Sequence, residues 1–133
     1  MELRQIEENW GMPVRRIVMV RRKQGLTPEQ FRDGYENSHA RIAVQLFGHL
    51  WLSYRRNYLT TGHNFAVGGE TAKADDTGFD AISEFVLRDE AALAEMGRIG
   101  AENMAMIKED EAKWFDQTHC WTMACDSVEE HLG

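Results

Sequence analysis

Residues 27–39, Thr-Pro-Glu-Gln-Phe-Arg-Asp-Gly-Tyr-Glu-Asn-Ser-His, start a helix and set two polar rings on its apolar face. Thr27 is a good N-cap, because its hydroxyl can accept from a first-turn N–H that otherwise has no partner. Pro28 suits the first helical position, where no N–H is needed, and Gln30 completes a capping box. Phe31, Tyr35 and His39 then recur at steps of four and drift by only ~40° per step, with Leu46 near the same line. Such a stripe is normally buried against a core. Here it carries a phenol and an imidazole.

The patterns on either side set the organisation. Residues 1–12 form a short amphipathic extension, with Leu3, Ile6 and Trp10 at helical spacing. Val14 to Arg22 reads as a strand: Val14, Val18 and Val20 share one parity with Arg16, and Ile17 and Met19 share the other. Apolar residues on both parities point to a strand covered on both faces. The capped helix runs from Thr27 to about Leu46, with Gly34 a local weakness. A second strand, Trp51 to Leu59, alternates Leu52, Tyr54, Arg56 and Tyr58 against Trp51, Ser53, Arg55 and Asn57. Residues 60–78 carry no apolar period and read as a long loop.

Phe79 to Val86 is a third strand. Asp89 caps a second helix through Leu93 and Met96, which Gly97 and Gly100 are expected to interrupt before it resumes through Met104 and Ile107. The run Glu109, Asp110 and Glu111 reads as a solvated helix end. Thr118 to Cys125 is a fourth strand, and 126–133 a polar tail. The order strand, helix, strand, strand, helix, strand is the α+β, ferredoxin-like βαββαβ arrangement, with helices on one face of an antiparallel sheet. Burying the other face is easiest against a second copy, so patterning predicts a homodimer.

One domain suits the 133 residues. A net charge of −7 argues against nonspecific binding to nucleic acid or to an anionic membrane surface. No signal-peptide-like or membrane-spanning run is present. Cys120 and Cys125 point to opposite faces of a strand and lack a zinc or dithiol spacing. The expectation is a cytoplasmic protein with free thiols and no metal site. No Gly-rich phosphate cradle or nucleophile elbow appears.

Several phrases in order resemble the EthD family of dimeric α+β barrels. They are Arg21-Arg22-Lys23-Gln24-Gly25 leading into Thr27-Pro28-Glu29-Gln30-Phe31 and His39, then Tyr54-Arg55-Arg56-Asn57-Tyr58. Phe79-Asp80-Ala81-Ile82-Ser83-Glu84-Phe85 follows, then Glu109-Asp110-Glu111 before Trp114-Phe115-Asp116. The resemblance spans roughly residues 14–120. It implies a homodimer and a cofactor-free pocket between helices and sheet, in a class that includes isomerases, decarboxylases, cyclases and cofactor-free oxygenases.

Within that frame His39 is the leading candidate for a general acid or base, against a helical histidine that only bonds backbone or favours the dipole. Tyr35, one turn earlier, either positions His39 or is a core aromatic. Arg55 and Arg56 point to opposite faces, and one of them could clamp a substrate carboxylate; Arg56, beside Tyr54 and Tyr58, is favoured. Asp80 could hold the His39 tautomer or pair with an arginine across the sheet. Asn57 is a candidate polar anchor, and His119 and Trp121 share a face that lines the cavity or lies at an exposed edge. The expected function is a cofactor-independent lyase that decarboxylates a hydroxylated aromatic acid. An isomerase or cyclase, a cofactor-free oxygenase, and a non-catalytic dimeric binding protein for an aromatic metabolite are the alternatives.

Overall fold

The computed structural model describes residues 12–66 and 68–133. The extension expected over residues 1–12 lies outside them but for Met12, which is exposed. Strand β1 is Val14–Val20, followed by helix α1 (Pro28–Gly34), a π turn (Tyr35–His39) and helix α2 (Ala40–Phe47), which run on as one rod. A 3-10 turn leads into β2 (Trp51–Tyr58), and then come β3 (Thr61–His63), β4 (Thr71–Lys73) and the short α3 (Ala74–Thr77). Strand β5 is Ala81–Leu87, α4 is Glu90–Glu102, α5 is Met104–Trp114 and β6 is Trp121–Ala124.

The main sheet has the order β2-β5-β1-β6 with antiparallel neighbours throughout. That is the strand order of the split βαβ arrangement, so the architecture is the α+β fold expected from the sequence. Two local expectations give way. Residues 60–78 hold a hairpin of β3 and β4 rather than a plain loop. Helix α4 passes unbroken through Gly97 and Gly100: a Cβ would meet nothing within 4 Å at Gly97 and, at Gly100, the Phe47 ring of α2 at an ordinary contact distance of 3.8 Å. The break falls at Asn103 instead, where the backbone leaves the helical region (φ −114, ψ 16) and Asn103 Nδ2 donates to the Ile99 carbonyl at 2.9 Å.

The caps are where they were expected. Gln30 N donates to Thr27 Oγ1 at 3.1 Å and Thr27 N to Gln30 Oε1 at 2.9 Å. Ala92 N donates to Asp89 Oδ1 at 2.8 Å. Two clusters form the core between helices and sheet. One gathers Val20, Phe31, Tyr35, Ala40, Ala81 and Phe115, the other Val14, Leu50, Phe85, Leu87 and Ala92. Phe31 is 1% exposed, and burying one such ring stabilises the fold by ~2–3 kcal/mol. The other sheet face is open among the described residues. Met19 pairs with Ile82 and Trp121, and Ile17 with Glu84 and Met123, leaving Trp121 55% and Met123 49% exposed.

Candidate functional site

Helix α5 and the π turn meet edge to edge, and the contact builds the site. A Cβ on Gly34 would overlap the Trp114 indole, so a glycine is what lets the two helices touch. One residue further the helix opens into the π turn, closed by Ala40 N–H donating to the Tyr35 carbonyl. A wider turn brings consecutive side chains closer in direction than an α-helix does, and π bulges are frequent at functional sites. Here it sets Ser38 and His39 against the two oxygens of one carboxylate. Ser38 Oγ donates to Asp110 Oδ1 at 2.5 Å, and His39 Nδ1 lies 3.0 Å from Asp110 Oδ2. Trp114 Nε1 approaches Oδ1 at 3.4 Å.

Asp110 is buried at 4% exposure, so the acidic run 109–111 is not a solvated helix end. The sequence carries a signal for this: Ile107, Asp110 and Trp114 follow at i, i+3 and i+7, which puts Asp110 on the apolar side of its helix. A carboxylate can only accept, so in this pair His39 Nδ1 is the protonated nitrogen and donates to Asp110. His39 itself is mostly buried, edge-on to Phe115 at 4.8 Å between ring centroids and to Tyr35 at 6.0 Å.

His39 lines a cavity of about 320 Å³ between the helices and the sheet. Its walls are chiefly apolar. Phe47, Trp51, Tyr54 and Phe85 form the aromatic end, with Trp51 stacked on Phe85 at 4.9 Å and tilted against Tyr54 at 4.7 Å. Tyr35 does not bond His39. Its hydroxyl donates to Ser83 Oγ at 2.9 Å, and Tyr54 donates to the Tyr35 oxygen at 3.4 Å. Burial raises the pKa of both phenols above the ordinary tyrosine value, so this relay stays neutral across working pH.

Tyr35, His39 and Tyr54 thus meet in the cavity, and Trp121 reaches its edge with its side chain largely exposed. The other candidates stand elsewhere. Arg56 does point toward the helices, but Glu36 holds it: Nε to Oε2 is 2.6 Å and Nη2 to Oε1 is 2.8 Å. Tyr58 donates to the same carboxylate. Arg55 lies on the open sheet face opposite Glu84, and Asn57 Nδ2 donates to the Ile82 carbonyl at 3.0 Å. Asp80 accepts from Arg22, at 2.8 Å from the backbone N and 2.6 Å from Nη1, so it pairs with arginine and does not touch His39. His119 is exposed and bonded to Asp116 at 2.9 Å. Among the described residues no three His, Cys, Asp or Glu side chains converge as a metal would require.

The sequence pattern of the EthD domain matches residues 23–118. The chain belongs to the EthD family. Its fold is similar to that of an EthD family protein of Bacillus halodurans, 18% identical with a TM-score of 0.58 over 88% of this chain and 100% of that one. An EthD-like protein of Ralstonia eutropha is 16% identical with a TM-score of 0.54 over 80% and 84% of the two chains. A protein of Arabidopsis thaliana is 14% identical, at 0.51 over 90% and 99%. No curated protein matches in sequence. At these identities the likeness shows the fold alone.

Proposed function

We propose that the chain is a cytoplasmic, cofactor-independent enzyme that moves a proton on a small ring-bearing molecule, with decarboxylation of a hydroxylated aromatic acid as its reaction. One observation carries this: a histidine held through Nδ1 by a buried carboxylate lines a chiefly apolar cavity with an aromatic end. The same constellation of base and orienting carboxylate serves proton transfer wherever it occurs. His39 Nε2 takes the proton from the substrate's phenol, and Asp110 steadies the imidazolium. The electron-rich ring then accepts that proton at the carbon bearing the carboxylate. The C–C bond breaks, its electron pair restores the ring, and carbon dioxide leaves; the phenolate regains a proton from water. The apolar walls keep water from competing. A homodimer closing the open sheet face belongs to the same proposal.

An isomerase or cyclase would use the same base, and the product mass separates the two. The test is turnover of a dihydroxybenzoate panel read by carbon dioxide release and product mass. His39→Ala should lose ~100-fold or more in kcat with its fold intact. Asp110→Asn, which can no longer fix the Nδ1–H tautomer, should lose ~10- to 100-fold and shift the pH profile. Near-normal turnover in His39→Ala would sink the assignment. Binding of the panel without turnover in the wild type would favour the binding-protein reading.

A further inference from the structure

The arginine pair cannot receive a substrate's carboxylate in this cavity, since neither guanidinium lines it. Helix α5 supplies another cation. On the face next to the one that carries Asp110, Ile107, Lys108 and Glu111 line the cavity. Of the described residues in that lining, Lys108 alone bears a fixed positive charge and Glu111 alone a carboxylate. Lys108 Nζ stands 3.1 Å from Glu111 Oε1, with the side chains 58% and 21% exposed, so the pair marks the cavity mouth. Gln117 Nε2 braces it, donating to the Lys108 carbonyl at 3.2 Å and to Glu111 Oε1 at 3.4 Å.

We propose that Lys108 receives the carboxylate of an anionic ring substrate at the mouth of this cavity, displacing Glu111, the internal carboxylate that occupies the ammonium meanwhile. The inference rests on the reading of the cavity as a substrate site and names the substrate class. A half-exposed ion pair one turn apart on a helix is weak, so a ligand held by the aromatic walls can take over the ammonium. A chain of net charge −7 repels anions in general. One cation beside apolar walls therefore decides whether an acid or a neutral ring enters. The carboxylate end stays at the wet mouth, and the ring extends inward toward His39.

Calorimetric titration of benzoate and its neutral isostere benzamide, at low salt, tests the assignment. The wild type should bind benzoate ~10-fold or more tightly than benzamide, as a cation at the edge of an apolar site dictates. Lys108→Met should abolish that preference and leave benzamide unchanged, while Lys108→Arg keeps it. Glu111→Gln should tighten benzoate several-fold, because the internal competitor has lost its charge. A merely structural pair would instead weaken both ligands in both variants. Equal affinity for the two rings in the wild type, or a preference that survives Lys108→Met, overturns the role of Lys108. If neither ring binds, the cavity reading is overturned together with this one. His39→Ala should keep the benzoate preference while losing turnover, so a failed base and a failed anchor give different results.

Discussion

Glu36 follows Tyr35 in sequence but faces β2, where it gathers the side chains that the sequence offers as a substrate-binding set. Arg56 forks onto it, Tyr58 donates to it, and the Arg56 guanidinium lies 4.5 Å over the Tyr54 ring. The Arg56 hydrogen bonds outweigh the cost of partial burial and hold the Glu36 carboxyl at about 2, well below the ordinary glutamate value. A folded-state pKa below the unfolded one stabilises the fold above the unfolded value of 4.5, and that stability is lost as pH falls toward about 2. Glu36→Gln should therefore melt below the wild type at pH 7, with the gap closing as the pH is taken from 4.5 to 2. A gap that widens toward acid in thermal melts would overturn the linkage. The parity of β2 was legible from Ser53 to Tyr58, with Arg56 beside Tyr54 and Tyr58. A bulge between Trp51 and Ser53 turns Trp51 onto the cavity side with Tyr54 and leaves Leu52 exposed, against the alternation expected. What was not legible was the partner, because a glutamate on a helix carries no mark of which strand it will meet. His39 was found for the same reason that Asp110 was missed: one sits on an apolar stripe, the other inside an acidic run.

At the scale of elements, the site depends on two helices coming close enough for Ser38, His39 and Trp114 to share one carboxylate. Periodicity predicts a regular helix from Thr27, and its cap is as read, as is its stripe through His39; past the π turn the inward line runs through Ala43 and Phe47 instead of Leu46. The π turn is invisible to a reading that assumes 3.6 residues per turn throughout. Gly34 is the residue that permits the contact, and the sequence reading took it for a weakness. A methyl group at Gly34 has nowhere to go but into the indole, and overpacking of this kind costs ~1–3 kcal/mol. Gly34→Ala should lose that much in chemical denaturation even though alanine is the better helix former. Adding Trp114→Leu should restore part of it, a coupling that two independent sites would not show. If Gly34→Ala is neutral or stabilising, the two helices are not packed closely enough for Gly34 to be required.

For the whole molecule, the order of elements was legible because each strand and helix announces itself by period and cap, and the split βαβ arrangement then leaves one strand order. The same patterning says that the second sheet face is unfinished. Ile17, Met19, Ile82, Trp121 and Met123 stand together on it by register, with Arg15 and Glu84 paired at its centre. We propose this face as the seam between two copies, because exposed apolar area on an open sheet favours association and a stable pair of chains needs ~1,200–2,000 Å² buried in total. A second copy laid on this face would bury Trp121 and Met123. Light scattering after gel filtration should then give twice the 15.3 kDa mass of one chain. Met123→Glu places a charge where the chain alone leaves the side chain half exposed, so the single fold tolerates it while a dry interface does not. That variant should run at the mass of one chain with its circular dichroism unchanged. A wild type that is monomeric at tens of micromolar, or a Met123→Glu variant that stays paired, would move the interface off this face.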